Sequence, residues 1–352
     1  MVIIKSIKTK LVSKLKFDLF IEAYARSKKG KKLKQDILEF DINLETNIIN
    51  LIDEIYNDKY KIDKYREFII TDPKVRIIRC LPFRDRIVHQ WYVTEFLKPY
   101  YTRNFIYDNY ACIEGKGTHK AVKRLQSFMN KVDDDYYVMK FDIKKYFENI
   151  NKEILFNILS KKIKDKYLLK FTYKMIYDNN YYNGICIGNY TSQWFANIYL
   201  NELDHYVKEV LYIKYYIRFM DDFVMLVPNK LIAKEIYTKI NLFIISKLRL
   251  ELNKKSRYYP IKYGCDFCGY VVYKDYIKIR KRIKKNINNS IKKWNYLYLN
   301  KKFNYTKFIL SYNSFISVLK HANTINYIRK VDEKIIWLRK KDNYMYLLIL
   351  II

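Results

Sequence analysis

Short apolar runs rich in β-branched and aromatic residues mark several strands along the chain. Residues 213–217 and 223–227 are two such runs, and each predicts a strand. The few residues between them place Asp221 and Asp222 at the tip of a hairpin. A third run, YYVMKFD at 136–142, predicts a strand that ends on an aspartate.

Longer stretches with a helical spacing of apolar residues surround these strands. Residues 1–60 predict helices, and one helical face collects five aliphatic side chains. These are Leu44, Ile48, Ile49, Ile52 and Ile55. Further helices are predicted near 152–163, 191–209 and 231–248, and a second hairpin around 267–279 leads into a helical part. Antiparallel hairpins with separate helices predict an α+β fold.

The aspartates at these strand ends are candidate metal ligands. Adjacent carboxylates repel each other, so Asp221 and Asp222 are costly to bury unless cations sit on them. Mg²⁺ binds carboxylates together with substrate phosphates, and two ions about 3.5–4 Å apart suit in-line phosphoryl transfer. A strand that delivers Asp142 opposite the hairpin gives the palm arrangement of a nucleic-acid polymerase, in which Asp142 and Asp221 each bridge the metals.

A backbone carbonyl is a further candidate metal ligand, and each aspartate also has a structural explanation that needs no metal. The peptide carbonyl of Ile143 is a further candidate ligand, because Mg²⁺ accepts neutral oxygen. A solvated hairpin tip remains an alternative for Asp221 and Asp222. A helix N-cap remains one for Asp142.

Several blocks in a fixed order resemble the reverse transcriptase family. Together they span about residues 70–330. The blocks are 74–79 and 84–88 in the fingers, 115–121 before the palm, 141–149 and 184–201 as the first and second motifs, 219–222 (Phe-Met-Asp-Asp) in place of the Tyr-x-Asp-Asp box, 250–256 and 267–270 as the fourth and fifth motifs, and 320–324 (Lys-His-Ala-Asn-Thr) in the thumb. The resemblance implies a right-hand polymerase with fingers, an antiparallel palm and a helical thumb.

The implied subdomains follow one another along the chain. They are a helical N-terminal part of the fingers at 1–60, the fingers at 61–135, the palm at 136–280 with part of the fingers inserted near 165–190, the thumb at 281–344 and an apolar tail at 345–352. Because little follows the thumb, an RNase H, maturase-specific or endonuclease domain is not expected.

The resemblance implies RNA-directed DNA polymerisation, with template RNA, a primer, the RNA/DNA duplex and dNTPs as partners. Two Mg²⁺ ions, with Mn²⁺ as an alternative, are the implied cofactors. Their implied ligands are Asp142, Ile143, Asp221 and Asp222, of which the last is expected to tune the site. Lys255 of the fourth motif is the implied general acid that protonates pyrophosphate. Lys254 beside it, or a solvated charge, is the alternative.

Fingers cations and one palm aromatic are implied to contact the incoming nucleotide. Lys74 and Arg76 would meet the triphosphate, and a solvated strand face is the alternative for both. Phe147 lies five positions after Asp142 and would close the space that a ribose 2′-hydroxyl needs. The alternative for Phe147 is a core position beside Tyr146.

The second motif indicates a branch of the family. Most reverse transcriptases carry Pro-Gln-Gly where this chain has Cys186, Ile187 and Gly188. The apolar residue in place of Gln, followed by Ser192 and Gln193, resembles the bacterial enzymes of diversity-generating retroelements, as does the thumb block. Ile187, Gly188 and Gln193 are therefore implied substrate contacts. Error-prone copying, notably at template adenines, is the implied consequence.

Composition agrees with a nucleic-acid partner. The chain of 352 residues has 68 Lys and Arg against 36 Asp and Glu, a net charge of +32. Such a field attracts polyanions, and 37 Tyr with 20 Phe provide surfaces for base stacking. A base-composition bias of the gene is the alternative source of this excess. Basic residues also dominate 281–340, where a thumb would track the duplex.

The cysteine pattern and the apolar segments indicate the cellular compartment. Five cysteines are an odd number, which argues against a disulfide framework. Cys265 and Cys268 lack the partners of a tetrahedral zinc site. Lysines interrupt any N-terminal signal peptide, and the tail is far shorter than the ~20 residues that cross a bilayer. A reducing cytoplasm without membrane association is expected.

Other roles share some or all of these motifs. An anti-phage defence reverse transcriptase working with a structured non-coding RNA would have the same motifs, as would an enzyme that works with an accessory protein. A retron or group II intron type enzyme is a second alternative, against which Ile187 argues. A catalytically idle RNA-binding assembly factor is the alternative of another class, against which the three intact aspartates argue.

Overall fold

The computed structural model describes residues 6–31, 33–71, 75–177 and 184–339. Contacts divide these residues into two units. The first contains the described residues up to Gly115, Phe141–Phe223 and Glu235–Ser256. The second contains Lys116–Lys140, Val224–Lys234 and the described residues from Arg257 onward. Every described residue of the expected active site falls in the first unit.

Nine strands form three antiparallel sheets in the described chain. They are β1 (Arg66–Ile70), β2 (Arg76–Cys80), β3 (Tyr137–Phe141), β4 (Tyr215–Phe219), β5 (Asp222–Val227), β6 (Arg257–Pro260), β7 (Cys265–Phe267), β8 (Tyr270–Val272) and β9 (Ile277–Ile279). The sheets have the strand orders β1-β2, β4-β5-β3-β6 and β7-β8-β9. In the four-stranded sheet, β3 pairs with β6 so that Tyr137 lies opposite Pro260.

Helices make up most of the remaining described chain. They are α1 (Phe17–Lys28), α2 (Gln35–Ile42), α3 (Leu44–Tyr56), α4 (Phe83–Tyr92), α5 (Lys98–Asn104), α6 (Thr118–Met129), α7 (Tyr146–Asn149), α8 (Lys152–Ser160), α9 (Lys166–Tyr177), α10 (Tyr190–His205), α11 (Lys230–Leu248), α12 (Lys281–Leu299), α13 (Tyr305–Leu319) and α14 (Ile325–Lys334). π-helical turns extend α4 and α10, and 3₁₀ turns lie at Val12–Lys14, Ile261–Tyr263 and Ile336–Arg339. The α+β class is confirmed.

The core of the first unit is built around α10, with the last residue of β3 and the first residues of β5. Twelve residues of α10 are buried, which explains why its sequence is apolar on several faces. Phe141 at the end of β3 stacks on Phe223 of β5, with ring centroids 4.9 Å apart. This packing fixes the end of β3 beside the start of β5, the two places from which the aspartates emerge.

One local prediction was wrong and another was incomplete. Ile49 is half exposed rather than part of the buried face of α3, which consists of Ile48, Leu51 and Ile55. Ile48, Leu51 and Ile55 are three and four residues apart, so they lie on one narrow face of the helix, and Ile49 points away from that face. The hairpin predicted around 267–279 is present as β8 and β9, which pair with Tyr270 opposite Ile279. β7 adds a third strand to it through a tight turn at Cys268 and Gly269, both with positive φ.

Other parts of the prediction agree or lie outside the described residues. The hairpin strand predicted at 213–217 begins two residues later, and α11 begins one residue before its predicted start. The apolar tail at 345–352 lies outside the described residues. The subdomain boundaries remain predictions. None of the described helices is both long and apolar enough to cross a membrane.

Candidate active site

The structure brings Asp142 and Asp221 close together. Asp142 directly follows β3, and Asp221 lies with Met220 in the two-residue turn between β4 and β5. Met220 has φ of +56°, a left-handed conformation that closes this tight turn. Burial raises the pKa of Asp221 to about 6, and the negative charge of Asp142 acts in the same direction. The two carboxylates therefore share one partly desolvated place.

The backbone around Asp142 is clamped by the predicted fourth motif. Its N–H donates to Ser256 Oγ at 3.1 Å, and its carbonyl accepts from Asn253 N–H at 2.7 Å. Ile143 lies opposite Leu252 in an antiparallel bridge. The bridge bonds run through the carbonyls of the flanking residues, Asp142 and Glu251, so they do not occupy the carbonyl of Ile143. That oxygen is a geometrically reasonable candidate ligand.

The predicted general acid is placed differently from the aspartates. Lys255 belongs to the same clamping segment, and its N–H donates to Asn253 Oδ1 at 3.1 Å. Its side chain is exposed, as is that of Lys254. The loop is therefore held beside Asp142 by its backbone, while both lysine side chains extend into solvent.

One of the cations predicted to bind the triphosphate influences the acids. Arg76 begins β2 and is exposed, and its positive charge acts against the burial and the Asp142 charge that together raise the pKa of Asp221. Arg79 on the same strand forms a 2.6 Å ion pair with Glu67 of β1. Lys74 lies outside the described residues. The structure thus brings one predicted triphosphate contact to the acidic pair.

The backbone of the second motif forms hydrogen bonds with two other segments of the chain. Ile185 N–H donates to the carbonyl of Phe147 at 2.8 Å, and Arg79 N–H donates to the carbonyl of Ile187 at 3.1 Å. Gly188 has φ of +127°, and a Cβ there would lie 2.5 Å from the Arg79 carbonyl oxygen. The segment therefore connects β2 with α7, and glycine is required where it touches β2.

The remaining predicted substrate contacts lie on helices. Phe147 is half-buried on α7 and packs edge-on against the ring of Tyr146, with centroids 5.7 Å apart. Gln193 lies in the first turn of α10, and its side-chain oxygen accepts from Cys112 Sγ at 3.4 Å. Phe147 therefore presents a ring surface beside the first motif, while Gln193 is tied to the segment before α6.

Sequence reasoning missed a buried ionic network beneath the hairpin. Arg218 of β4 and Asp204 of α10 are both fully buried and form an ion pair at 2.5 Å. The signal was a single arginine inside an otherwise apolar strand, which is rare because a buried charge needs a partner. Its partner lies fourteen positions earlier on a helix, so no local pattern identified the pair.

Within the described residues, no group of three or more Asp, Glu, His or Cys side chains is arranged to hold one metal ion. Asp222 therefore does not complete a ready-made cluster with Asp142 and Asp221. Any ion bound here would complete its shell with oxygens from the backbone, water or substrate.

Comparisons with known proteins show the family of the chain. The family model described as "Reverse transcriptase (RNA-dependent DNA polymerase)" matches residues 66–272, more than half of the chain. The putative COX1/OXI3 intron 2 protein of Saccharomyces cerevisiae is 26% identical over 212 residues. That match covers 56% of this chain and 24% of the relative, so the chain spans about a quarter of that protein's length.

Solved telomerase structures are also similar to the chain. The telomerase of Candida albicans in complex with a fragment of telomeric RNA has a TM-score of 0.47 and 10% identity, covering 67% of this chain and 51% of that one. The telomerase of Candida tropicalis truncated from its C-terminal domain has a TM-score of 0.47 and 15% identity, covering 62% and 55%. On the strength of the family match, the chain belongs to the reverse transcriptase family.

Proposed function

We propose that this chain is an RNA-directed DNA polymerase that extends a primer on an RNA template with dNTPs. The observation that carries the proposal is the meeting of Asp142 and Asp221 at the end of β3 and in the β4–β5 turn. Two carboxylates that raise each other's energy in a partly desolvated place are stabilised when cations bind between them. The family match supports the same chemistry.

The donor set fits a hard divalent cation such as Mg²⁺. Asp142 and Asp221 supply carboxylate oxygens, and the carbonyl of Ile143 is not used by its bridge to Leu252. Mg²⁺ keeps several waters or phosphate oxygens, so a site with few protein ligands suits it better than a closed cage does. Ions bound there would activate the primer 3′-hydroxyl and neutralise the departing pyrophosphate.

The chain's own residues position the reactants. Asp142 is fixed by the bonds of its backbone to Asn253 and Ser256, and Asp221 is fixed by the turn. Arg76 extends from β2 toward the same charge and is proposed to bind the triphosphate. Lys255, exposed on the clamping loop, is proposed to protonate pyrophosphate when substrate closes over it. Lys74 shares the role of Arg76 as a prediction.

Two residues are proposed to set substrate choice. Phe147 presents its ring beside the first motif and is proposed to exclude the ribose 2′-hydroxyl. Ile187 is proposed to contact the nascent pair with an apolar side chain, which favours error-prone copying of the kind found in diversity-generating retroelements. Gly188 and Gln193 are proposed to line the same region.

A primer-extension assay tests the activity. Asp142→Ala and Asp221→Ala should each abolish Mg²⁺-dependent cDNA synthesis while RNA binding stays near that of the wild type. Asp53→Ala, an exposed acid on α3, is the matched control and should extend normally. Extension by either site variant at the wild-type rate would contradict the metal assignment. RNA binding without extension by the wild-type chain would instead favour an idle assembly factor.

The intron relative favours a second candidate within the same chemistry. A protein named for an intron of COX1 shares 26% identity with this chain, so an intron-type reverse transcriptase is the alternative to the retroelement or defence role. The Ile187 position argues for the retroelement branch. Co-purified RNA from the native host, sequenced after ultraviolet crosslinking, separates intron RNA, a retroelement template and a structured non-coding RNA. An accessory protein would emerge in the same purification.

A further inference from the structure

Arg218 makes an unusually complete set of contacts for a buried arginine. Its Nε donates to Asp204 Oδ1 at 2.7 Å and its Nη2 donates to Asp204 Oδ2 at 2.5 Å. Nη2 also donates to the Asn197 carbonyl at 3.4 Å, and Nη1 donates to Asn197 Oδ1 at 3.0 Å. The remaining Nη1 hydrogen points to the carbonyl of Met220 at 3.1 Å. All five donors of the guanidinium are thereby used.

The partners of Arg218 are themselves held. Tyr216 lies two positions earlier on the same strand face, and its hydroxyl donates to Asp204 Oδ1 at 2.6 Å. Asn197 donates to the Ala111 carbonyl at 2.7 Å. The backbone of Arg218 also bonds to the neighbouring segment, donating to the Asp108 carbonyl and accepting from Tyr110 N–H. The position and orientation of the Arg218 guanidinium are therefore fixed inside the first unit.

The contact with Met220 has a direct consequence for Asp221. The Met220 carbonyl belongs to the peptide group that joins Met220 to Asp221. A donor that fixes this oxygen fixes the plane of that peptide, and with it the direction in which Asp221 leaves the turn. The contact also holds Met220 at φ of +56°, a conformation that non-glycine residues adopt at a cost.

Stability alone does not explain such a network. Replacing a buried ion pair with apolar residues of similar volume is often neutral for stability, because burying the charges offsets their attraction. Arg218 and Asp204 both sit at zero exposure, so the desolvation is complete. What an apolar pair cannot supply is a directed donor for the Met220 carbonyl.

We propose that Arg218, held by Asp204 and Asn197, is a positioning residue that fixes the Met220–Asp221 peptide and so aims the Asp221 carboxylate at the reacting atoms. This inference rests on the proposed polymerase function. It assigns to Arg218 a role in the chemical step and in cation binding, without contact between Arg218 and substrate. Asp204 acts through Arg218 by setting the orientation of its guanidinium.

Arg218→Lys is the first variant. Lysine keeps the positive charge opposite Asp204, but an ammonium cannot reach Asp204, Asn197 and the Met220 carbonyl with the fixed fork of a guanidinium. Single-nucleotide insertion on a primed RNA template should show kcat lowered about ten- to hundredfold with KM for dNTP little changed. Arg86→Lys is the matched control: Arg86 lies in the same unit, bonded to the Leu81 carbonyl and Asp36, and its variant should keep wild-type kcat.

Met220→Gly gives a rescue that a purely structural role would not produce. Glycine adopts positive φ without the cost that methionine bears, so the turn no longer depends on the Arg218 donor. Adding Met220→Gly to Arg218→Lys should raise kcat severalfold relative to Arg218→Lys. In the wild-type background, Met220→Gly should raise kcat by a smaller factor. If Met220→Gly changes kcat by the same factor in both backgrounds, the two residues are not coupled and the proposal is overturned.

A third variant and a direct binding measurement guard against misfolding. Arg218→Met with Asp204→Leu and Tyr216→Phe replaces the pair by apolar residues and removes the hydroxyl that would lose its acceptor. This variant should unfold at a temperature near that of the wild type while losing kcat. Calorimetric titration with MnCl₂, without nucleic acid, should show binding weakened severalfold in Arg218→Lys and unchanged in Arg86→Lys. Folded variants with wild-type kcat and wild-type Mn²⁺ binding would refute the role of Arg218. A wild-type chain that binds Mn²⁺ but inserts no nucleotide would refute the polymerase proposal instead.

Discussion

The backbone N–H of Ile185 donates to the carbonyl of Phe147 at 2.8 Å. This bond joins the second motif to the short helix that carries the proposed nucleotide gate. Two residues further on, Ile187 accepts from Arg79 of β2. The proposed gate, the second motif and β2 are therefore linked by backbone bonds, and a change at one of them is expected to reach the others.

Phe147→Ala should relax the choice between dNTP and rNTP. Removing the ring opens room for a 2′-hydroxyl beside the first motif, so the ratio of rNTP to dNTP insertion should rise about tenfold or more. Insertion of one nucleotide on a primed template measures this ratio. Phe156→Ala, which removes a ring packed on Tyr173 of α9, is the control. An unchanged ratio would mean that Phe147 is a packing residue.

Gly184→Ala should destabilise the protein far more than a matched glycine change. A Cβ at Gly184 would lie 2.3 Å from the Phe147 carbonyl oxygen, so the second motif would have to move off α7. Gly30 has nearly the same φ, +74° against +72°, and a Cβ added there would meet nothing within 4 Å. The excess loss in the free energy of unfolding should be about 1–3 kcal/mol, measured by urea denaturation. Equal losses would show that φ alone matters.

Ile187→Gln should lower the error rate of cDNA synthesis severalfold. A glutamine amide can hydrogen-bond near the nascent pair, and one such bond is worth about 0.5–1.5 kcal/mol, up to about tenfold in discrimination. Sequencing of cDNA from a defined RNA template measures the errors, which are expected mostly opposite template adenines. Ile187→Val keeps an apolar side chain and should keep the wild-type spectrum. High fidelity in the wild-type enzyme would contradict the mutagenic role and leave the polymerase assignment standing.

Asp142→Asn should stabilise the protein without divalent ions. Asp221 has a pKa of about 6 in the folded chain against an ordinary 3.8, first because it is buried and second because Asp142 is charged. An acid whose pKa is higher in the folded chain than in the unfolded chain lowers the free energy of unfolding as it ionises. That loss grows as the pH rises from about 3.8 to 6 and stays at its full size above that range. Removing one of its causes should therefore raise the free energy of unfolding at pH 8 by about 1 kcal/mol.

Chemical denaturation in EDTA tests that expectation at two pH values. The gain should be present at pH 8 and should vanish below about pH 4, where the Asp221 carboxyl is protonated in the folded chain and no longer repels a charge at position 142. Asp53→Asn is the control because Asp53 is exposed on α3 and lies outside the acidic pair. A gain that persists at low pH would assign the effect to packing at position 142 rather than to charge repulsion.

The sequence alone determined the features that depend on neighbours along the chain. Short runs rich in β-branched and aromatic residues predicted the strand that ends before Asp142 and the strand that begins at Asp222. Helical spacing of apolar residues predicted α8, α10 and α11. The order of the motifs indicated the reverse transcriptase family, which the family match confirmed. The roles of the individual site residues remain predictions.

Tertiary structure decided the features whose partners are distant. No local pattern announced that Arg218 would use its five donors on α10 and on the Met220 carbonyl, or that Gly184 would lie against the carbonyl of Phe147. Buried charges and close backbone contacts are settled by which surfaces meet when elements pack, since a donor must find an acceptor within about 3 Å in the desolvated interior. Periodicity along the chain places an element, but only packing supplies its partners.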